Sequence, residues 1–358
     1  MSSSTSSSKR WYSFVAALLA TFAGGSALLF LLLAAADPWG ALPWRSPLPR
    51  VPADHSQRWA YPELARDRRF DSAIIGNSAS RLINPADLDP AMGAHFVNLA
   101  MVHAYAWEQG RLLDVFLAAH PQPRAVVIGL DQVWCTRESD PVKFGYDPIP
   151  EWLYNGDIGA ALGNLLNLHA VDTAWRSLTG VLHHKREYNA NGYQLIGVDF
   201  HRWDPVLAAR LRAVDEDQDW PAPDNPDPGS WRYPALAWLA DHLDAMPAST
   251  RKILVFVPRH HLYPPPGGNG AAQFDECKRR AVALAEARPR TEVIDFSIPS
   301  PITSDDDKWW DAVHLRPEPM ERVSADLARA IDGEADEDDR ILSAPAGLAE
   351  SAAYPKPR

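Results

Sequence analysis

The sequence predicts an α/β fold, a three-layer doubly wound parallel sheet carried behind an N-terminal transmembrane helix and broken by a helical insertion. Three observations predict it. Short β-branched runs without polar alternation recur along the chain, as parallel strands buried on both faces require. Amphipathic stretches of helical period separate these runs. A charge-free run of about 26 residues, Trp11 to Ala36, lies near the N-terminus and as a helix would span about 39 Å.

Composition sets the limits. The chain has 358 residues, of which 46% are hydrophobic and 23% charged, values ordinary for a globular protein. The net charge is −11, which argues against a nucleic-acid partner, since such a partner requires a basic face. Cys135 and Cys277 are the two cysteines, and their spacing matches no metal motif. They can pair in an oxidising compartment or sit buried as small hydrophobes.

In chain order, residues 1–8 are almost all serine and read as disordered. Lys9 and Arg10 precede the apolar run, so residues 1–10 are expected as a cytoplasmic tail, with the rest of the chain periplasmic or extracellular. Trp11, Tyr12 and Trp39 suit interfacial anchors. The rival reading is a signal peptide cleaved at Ala34-Ala35-Ala36, but the length of the run favours an uncleaved membrane helix over 11–36. Residues 37–70, rich in Pro, Trp and Arg and without a period, read as an extended connector.

The α/β domain is expected over 71–331. Its strands are expected at 71–77, 95–100, 125–131, 252–258 and 291–297. Helices are expected at 105–119, 231–246 and 318–331; in the last, Met320, Val323, Leu327 and Ile331 repeat at helical spacing. The third and fourth strands are about 120 residues apart, far more than one crossover needs, so 132–230 reads as an insertion. Within it, 151–182 reads as helical and 214–230 as a Pro/Asp-rich loop. Its aromatics, among them Trp134, Trp152, Tyr154, Trp175, Tyr188, Tyr193 and Trp203, either pack the insertion or line a carbohydrate groove. Residues 332–358 begin with an acidic run and read as a disordered tail.

Two stretches carry chemistry. Gly76-Asn77-Ser78 breaks the first strand and places Ser78 at the carboxyl end of the sheet. Asp311-Ala312-Val313-His314 precedes the last helix. That spacing lets Asp311 reach Nδ1 of His314 and leave Nε2 free to take the serine proton. Each stretch also has a plain alternative. Ser78 can be a helix N-cap, Asp311 a turn residue and His314 a surface side chain. His260 and His261 follow the fourth strand at the same edge, where they can contact substrate, orient His314 or serve the fold. Arg81 and Arg316 can hold an anionic group of a substrate, though a surface charge is the plainer reading, and no ligand set for a metal or cofactor is evident.

These blocks resemble the SGNH (GDSL-like) hydrolase superfamily over residues 70–331, with Ser78 in the nucleophile block and Asp311 and His314 in the last block. The N-terminal membrane helix and the continuation HLRPE are similar to membrane-anchored members. These include the D-alanyl transfer protein of teichoic acid synthesis and the SGNH-type proteins of polysaccharide acylation. The resemblance implies a flavodoxin-like SGNH fold and acyl-ester chemistry on a cell-envelope polysaccharide, with a membrane-bound O-acyltransferase as candidate partner. Ala100, in Asn98-Leu99-Ala100, stands where the second block has an oxyanion-hole glycine. Asp131 stands where the third block has a donating asparagine, and a carboxylate cannot donate unless protonated. Gln132, Asn98 or Asn77 are candidate replacements. Two functions therefore stand open: a serine esterase or acyltransferase, and a non-catalytic polysaccharide-binding or scaffold subunit.

Overall fold

The computed structural model describes residues 5–44, 46–47, 51–137, 143, 147–184, 188–193 and 203–344. In chain order the elements begin with helices α1 (Thr5–Ala36) and α2 (Gln57–Ala65), strand β1 (Ser72–Ile75) and helix α3 (Pro85–Met92). Then come β2 (Phe96–Asn98), α4 (Ala106–Ala119) and β3 (Ala125–Leu130). Helices α5 (Glu151–Asn155), α6 (Ile158–Gly163), α7 (Leu168–Leu182), α8 (Pro205–Glu216) and α9 (Pro234–Ala245) follow. The last elements are β4 (Arg251–Phe256), α10 (Asn269–Glu286), β5 (Thr291–Asp295), α11 (Pro317–Ile331) and β6 (Arg340–Ser343). The chain forms two compact units, residues 1–63 with 150–187, and residues 64–149 with 188–358.

In the first unit, the 27-residue stretch Arg10–Ala36 of α1 reaches a mean hydropathy of 2.2 in its most apolar 18-residue window and is long and apolar enough to cross a membrane. This is consistent with a single-pass anchor. The helix begins at Thr5, so residues 5–8, expected as disordered, are helical, and the helix starts ahead of the expected 11–36 span with Lys9 and Arg10 within it; residues 1–4 lie outside the described residues. The expected extended connector is also corrected. The Asp37 carboxylate accepts the N–H groups of Ala41 (3.0 Å) and Leu42 (3.4 Å) and folds the chain back. Trp39 Nε1 donates to Asp54 Oδ2 at 3.0 Å, and the same oxygen receives Thr173 Oγ1 at 3.2 Å. The Trp39 ring meets Trp59 and Trp152 at centroid distances of 5.2 and 5.5 Å. Aromatic packing rather than a repeating period orders this segment, so periodicity could not reveal it. Trp152 packs here, whereas Trp175 on α7 is 63% exposed.

The second unit holds a six-stranded sheet of order β2-β1-β3-β4-β5-β6. Five strands are parallel, and β6 runs antiparallel to β5. The five parallel strands lie where the sequence places them. Successive side chains of a strand face opposite sides. On one side Ile74, Val127, Ile253, Val255 and Ile294 join Leu88 of α3 and Met320, Val323, Leu327 and Ile331 of α11 in a single core. Burying each such aliphatic chain contributes about 1.5–3 kcal/mol. On the other side α4 packs on β1 and against α9, and α10 packs on β5.

Helices α3 and α10 escaped the sequence reading for local reasons. Pro85 and Pro90 break the pattern of α3, and the small buried residues of α10, such as Ala281 and Ala285, make a weak apolar stripe. Residues 132–230 do not behave as one piece: α5, α6 and α7 belong to the first unit and α8 to the second. The expected helix over 151–182 is three helices, and α8 runs into the expected 214–230 loop as far as Glu216.

The acidic tail is corrected as well. Arg329 pairs with Asp326 and with Asp336 (2.6 Å), and Arg322 pairs with Asp338. These pairs dock the run on α11, so that β6 can extend the sheet. A charge run reads as solvated only when no opposite charge faces it. Residues 345–358 lie outside the described residues. Cys135, after β3, and Cys277, in α10, form a disulfide.

Candidate active site

The chain passes from β1 to β2 on one side and returns to β3 on the other. Such a reversal opens a crevice at the carboxyl ends of the strands, and Gly76-Asn77-Ser78 leaves β1 there. Ser78–Ser80 form a single 3₁₀ turn, which Asn77 caps by accepting the Ala79 N–H on Oδ1 at 3.1 Å. The capping role considered for Ser78 thus belongs to Asn77. Close backbone approach holds this turn. A Cβ on Gly76 would fall 2.3 Å from Ser80 Oγ, and one on Gly129 of β3 would fall 2.0 Å from it.

Ser78 Oγ lies 2.7 Å from His314 Nε2. His314 Nδ1 lies 2.7 Å from Asp311 Oδ2. The other oxygen of Asp311 accepts the N–H groups of Val313 (2.8 Å) and His314 (2.7 Å), which fixes the carboxylate before the imidazole meets it. With the proton on Nδ1, Nε2 is the acceptor for the serine hydroxyl. Burial pushes the Asp311 carboxyl up, but the hydrogen bond and charge of His314 and the two N–H groups outweigh it and hold Asp311 below its ordinary range. Burial pulls the His314 imidazole down, yet the Asp311 hydrogen bond and charge, with Asp215 and Asp131, raise it above its ordinary value.

The loop that carries Asp311 and His314 is clamped on both flanks. The Ala312 carbonyl accepts the His260 N–H at 2.8 Å, and the Ala312 N–H reaches Asp215 Oδ2 at 3.3 Å. His260 is therefore a brace behind the loop. Its ring is buried, with Nε2 3.1 Å from Asp306 and Nδ1 2.6 Å from Glu216. His261 likewise turns away, its N–H and Nδ1 both within 3.1 Å of the Thr303 carbonyl.

The oxyanion expectations for Asn98 and Ala100 are corrected. The buried Asn98 amide donates to the carbonyls of Ser80 (3.2 Å), Arg81 (3.2 Å) and Ile83 (2.8 Å). Its Oδ1 takes the Ala100 N–H at 2.9 Å. Both groups are thus spent on holding the chain after Ser78. Among the described residues, the Ser78 N–H has no hydrogen-bond partner. Asp131 does face the site: its oxygens accept the Asn77 amide and the Val133 N–H (3.0 Å), and burial pushes its carboxyl up to about 6. Gln132 lines the same cavity.

That cavity measures about 180 Å³, and Ser78, His314, Asn77, Tyr105, Asp131 and Arg259 are among its walls. Arg259 and Tyr105 were not singled out from sequence; for Arg259 the usable signal was its place just after β4, beside His260. Arg81 is buried, not a surface charge. Arg316 stacks its guanidinium 4.5 Å from the Trp203 ring centre. Trp134 is buried and donates Nε1 to Gln109 at 3.0 Å, so it packs rather than lining a groove.

No protein-family model matches the chain, and no curated protein is significantly similar to it.

Proposed function

We propose that the chain is a membrane-anchored serine acyl-esterase or O-acyltransferase of the SGNH type, acting on acyl esters of a cell-envelope polysaccharide outside the cytoplasmic membrane. One observation carries this reading: the hydrogen-bonded series Ser78, His314, Asp311 at the carboxyl edge of a parallel sheet. Further support comes from the parallel strand order β2-β1-β3-β4-β5, which opens a crevice at the carboxyl end of β1, where open α/β sheets keep their sites. The disulfide and the apolar N-terminal helix favour an anchored domain in an oxidising compartment. A membrane-bound O-acyltransferase is the fitting source of acyl groups.

In this mechanism Ser78 Oγ attacks the ester carbonyl while its proton passes to His314 Nε2. Asp311 holds the tautomer and balances the imidazolium. The N–H of Ser78 is the donor available to the oxyanion. The tetrahedral intermediate collapses, and His314 returns the proton to the leaving alcohol, which leaves acyl-Ser78. Water or a sugar hydroxyl then gives up its proton to His314, attacks the acyl group and regenerates Ser78.

A specific observation favours a second reading, a non-catalytic polysaccharide-binding or scaffold subunit. Asp131 sits at the site where a donor is needed, and Asn98 and Ala100 are occupied elsewhere. The deciding experiment treats the full chain, in detergent, with a fluorophosphonate and maps the adduct by mass spectrometry. Labelling of Ser78 that vanishes in His314→Ala supports the enzyme. Polymer binding that persists in Ser78→Ala, without any labelling of the wild type, supports the binding subunit.

A further inference from the structure

The loop after β4 brings Arg259 into the wall of the cavity that holds Ser78 and His314. Its guanidinium carbon lies 3.3 Å from the centre of the Phe274 ring, so the planar group is stacked and fixed in orientation. Among the described residues, no hydrogen bond or ion pair reaches the guanidinium, and Nη1 is buried without a partner. Burial lowers the Arg259 pKa to about 10, so the group remains cationic at neutral pH.

A half-buried cation with a buried N–H group that lacks a hydrogen-bonded counter-charge is costly, and proteins seldom keep one without a use. The surrounding carboxylates do not fill that place. Asp295, on β5, is bound to Lys278 at 2.7 Å. Asp131, after β3, is committed to the Asn77 amide and the Val133 N–H. Asp275, on α10, and the Tyr263 hydroxyl act on Arg259 only through space. Meanwhile the His260 N–H, one residue on, is bonded to Ala312 within the Asp311–His314 loop, so Arg259 is in register with the base.

We propose that Arg259 is a substrate-binding residue that takes an anionic group, a carboxylate or phosphate, so that the ester presented to Ser78 belongs to a negatively charged substrate. A planar guanidinium pairs with such groups through two parallel N–H bonds. The charge can lie on the acyl part, as in a dicarboxylic half-ester, or on the sugar part, as in an acidic polysaccharide. The substrate role rests on the esterase reading above; the anion site itself does not.

The test uses the full chain in detergent. Isothermal titration of Ser78→Ala with succinate and with inorganic phosphate measures binding free of turnover. Binding is expected, weakened at least tenfold when Arg259→Gln is added and less so with Arg259→Lys, which keeps the charge but loses the fork. Turnover is read separately on 4-nitrophenyl acetate and 4-nitrophenyl hemisuccinate, and on O-acetylated glucose and O-acetylated glucuronate. The wild type is expected to prefer the anionic member of at least one pair, and the pair identifies which side carries the charge. Arg259→Gln should lower that preference at least tenfold, mainly through KM.

Absence of anion binding, or binding that Arg259→Gln leaves intact, overturns the proposal. So does a wild type that turns over both neutral members faster, which needs no variant to fold. Anion binding without any Ser78-dependent turnover would end the esterase reading and leave the anion site standing. Ser78-dependent turnover with no anion binding and no preference would do the reverse.

Discussion

Ser78 Oγ and His314 Nε2 lie 2.7 Å apart although 236 residues separate them in the chain. The contact depends on two loops at one edge of the sheet, one leaving β1 and one entering α11. If it is the working contact, its members act as a unit. Ser78→Ala or His314→Ala should each lower ester turnover by about 10⁴–10⁶-fold, and their combination little further. Asp311→Asn should cost about 10⁴-fold through the wrong tautomer. Steady-state rates of the single and double variants check this, and additive losses would argue against a shared step.

The charge on Asp131 gives a pH signature. His314 must be neutral to accept the serine proton. Burial lowers its pKa, but Asp311, Asp215 and Asp131 raise it above the ordinary 6.5, so the rate should fall as pH drops through that raised value. Asp131, which burial lifts to about 6, is ionised above that pH and opposes an oxyanion. A neutral His314 and a neutral Asp131 therefore never predominate together, because the carboxyl ionises at a lower pH than the imidazole loses its proton. Asp131→Asn removes the opposing charge and places an amide near the site. Turnover at pH 8 should rise by about 10²-fold, the usual worth of one oxyanion donor. The acid limb should also move to lower pH, because His314 loses one supporting charge. A pH profile of kcat/KM for both proteins tests the two effects together, and a slower variant at every pH would mean that Asp131 chiefly positions Asn77.

The sequence made the strands and the Ser78, Asp311 and His314 stretches legible because their signals are local: a buried run, a turn and a three-residue spacing. It could not show where side chains point. Asn98 and Ala100 sit beside the site in sequence register, yet each spends its polar group on the other or on the backbone after Ser78. For Arg259 the place after β4 was a weak signal, since one arginine after a strand is ordinary until its lack of a partner is seen. The order in residues 37–70 and in the acidic run rests on partners distant in sequence, such as Asp54 with Thr173 and Arg322 with Asp338.

Gly129 lies tight against the Ser78 turn. An added Cβ would lie 2.0 Å from Ser80 Oγ, 3.1 Å from Ser80 Cβ and 3.3 Å from Val257 Cγ1, so the Ser80 hydroxyl must rotate away and its Cβ and Val257 must give by a few tenths of an ångström. Gly129→Ala should destabilise the domain by about 1–3 kcal/mol, the usual cost of overpacking. It should also reduce fluorophosphonate labelling of Ser78 in protein that remains folded. Gly163 in α6 is the control, because nothing lies within 4 Å of its added Cβ. Gly163→Ala should be neutral or stabilising by about 0.5–1 kcal/mol. Thermal melts with labelling at a fixed time separate the two, and equal behaviour of both variants would dismiss the packing argument.

The disulfide joins residues 142 apart, tying the loop after β3 to α10. A loop of that length is among the more costly to close, and loss of such a native bridge typically costs about 2–5 kcal/mol. Near the transition that corresponds to a fall in Tm of roughly 5–15 °C for a domain of this size. The site should suffer with it, because Phe274, the ring that orients Arg259, lies on α10 one turn before Cys277. Replacing Cys135 and Cys277 together by serine should therefore lower Tm and weaken succinate binding, and dithiothreitol should reproduce both effects in the wild type but not in the variant. A reduced wild type that melts and binds as the oxidised protein does would show that packing alone holds α10 against the sheet.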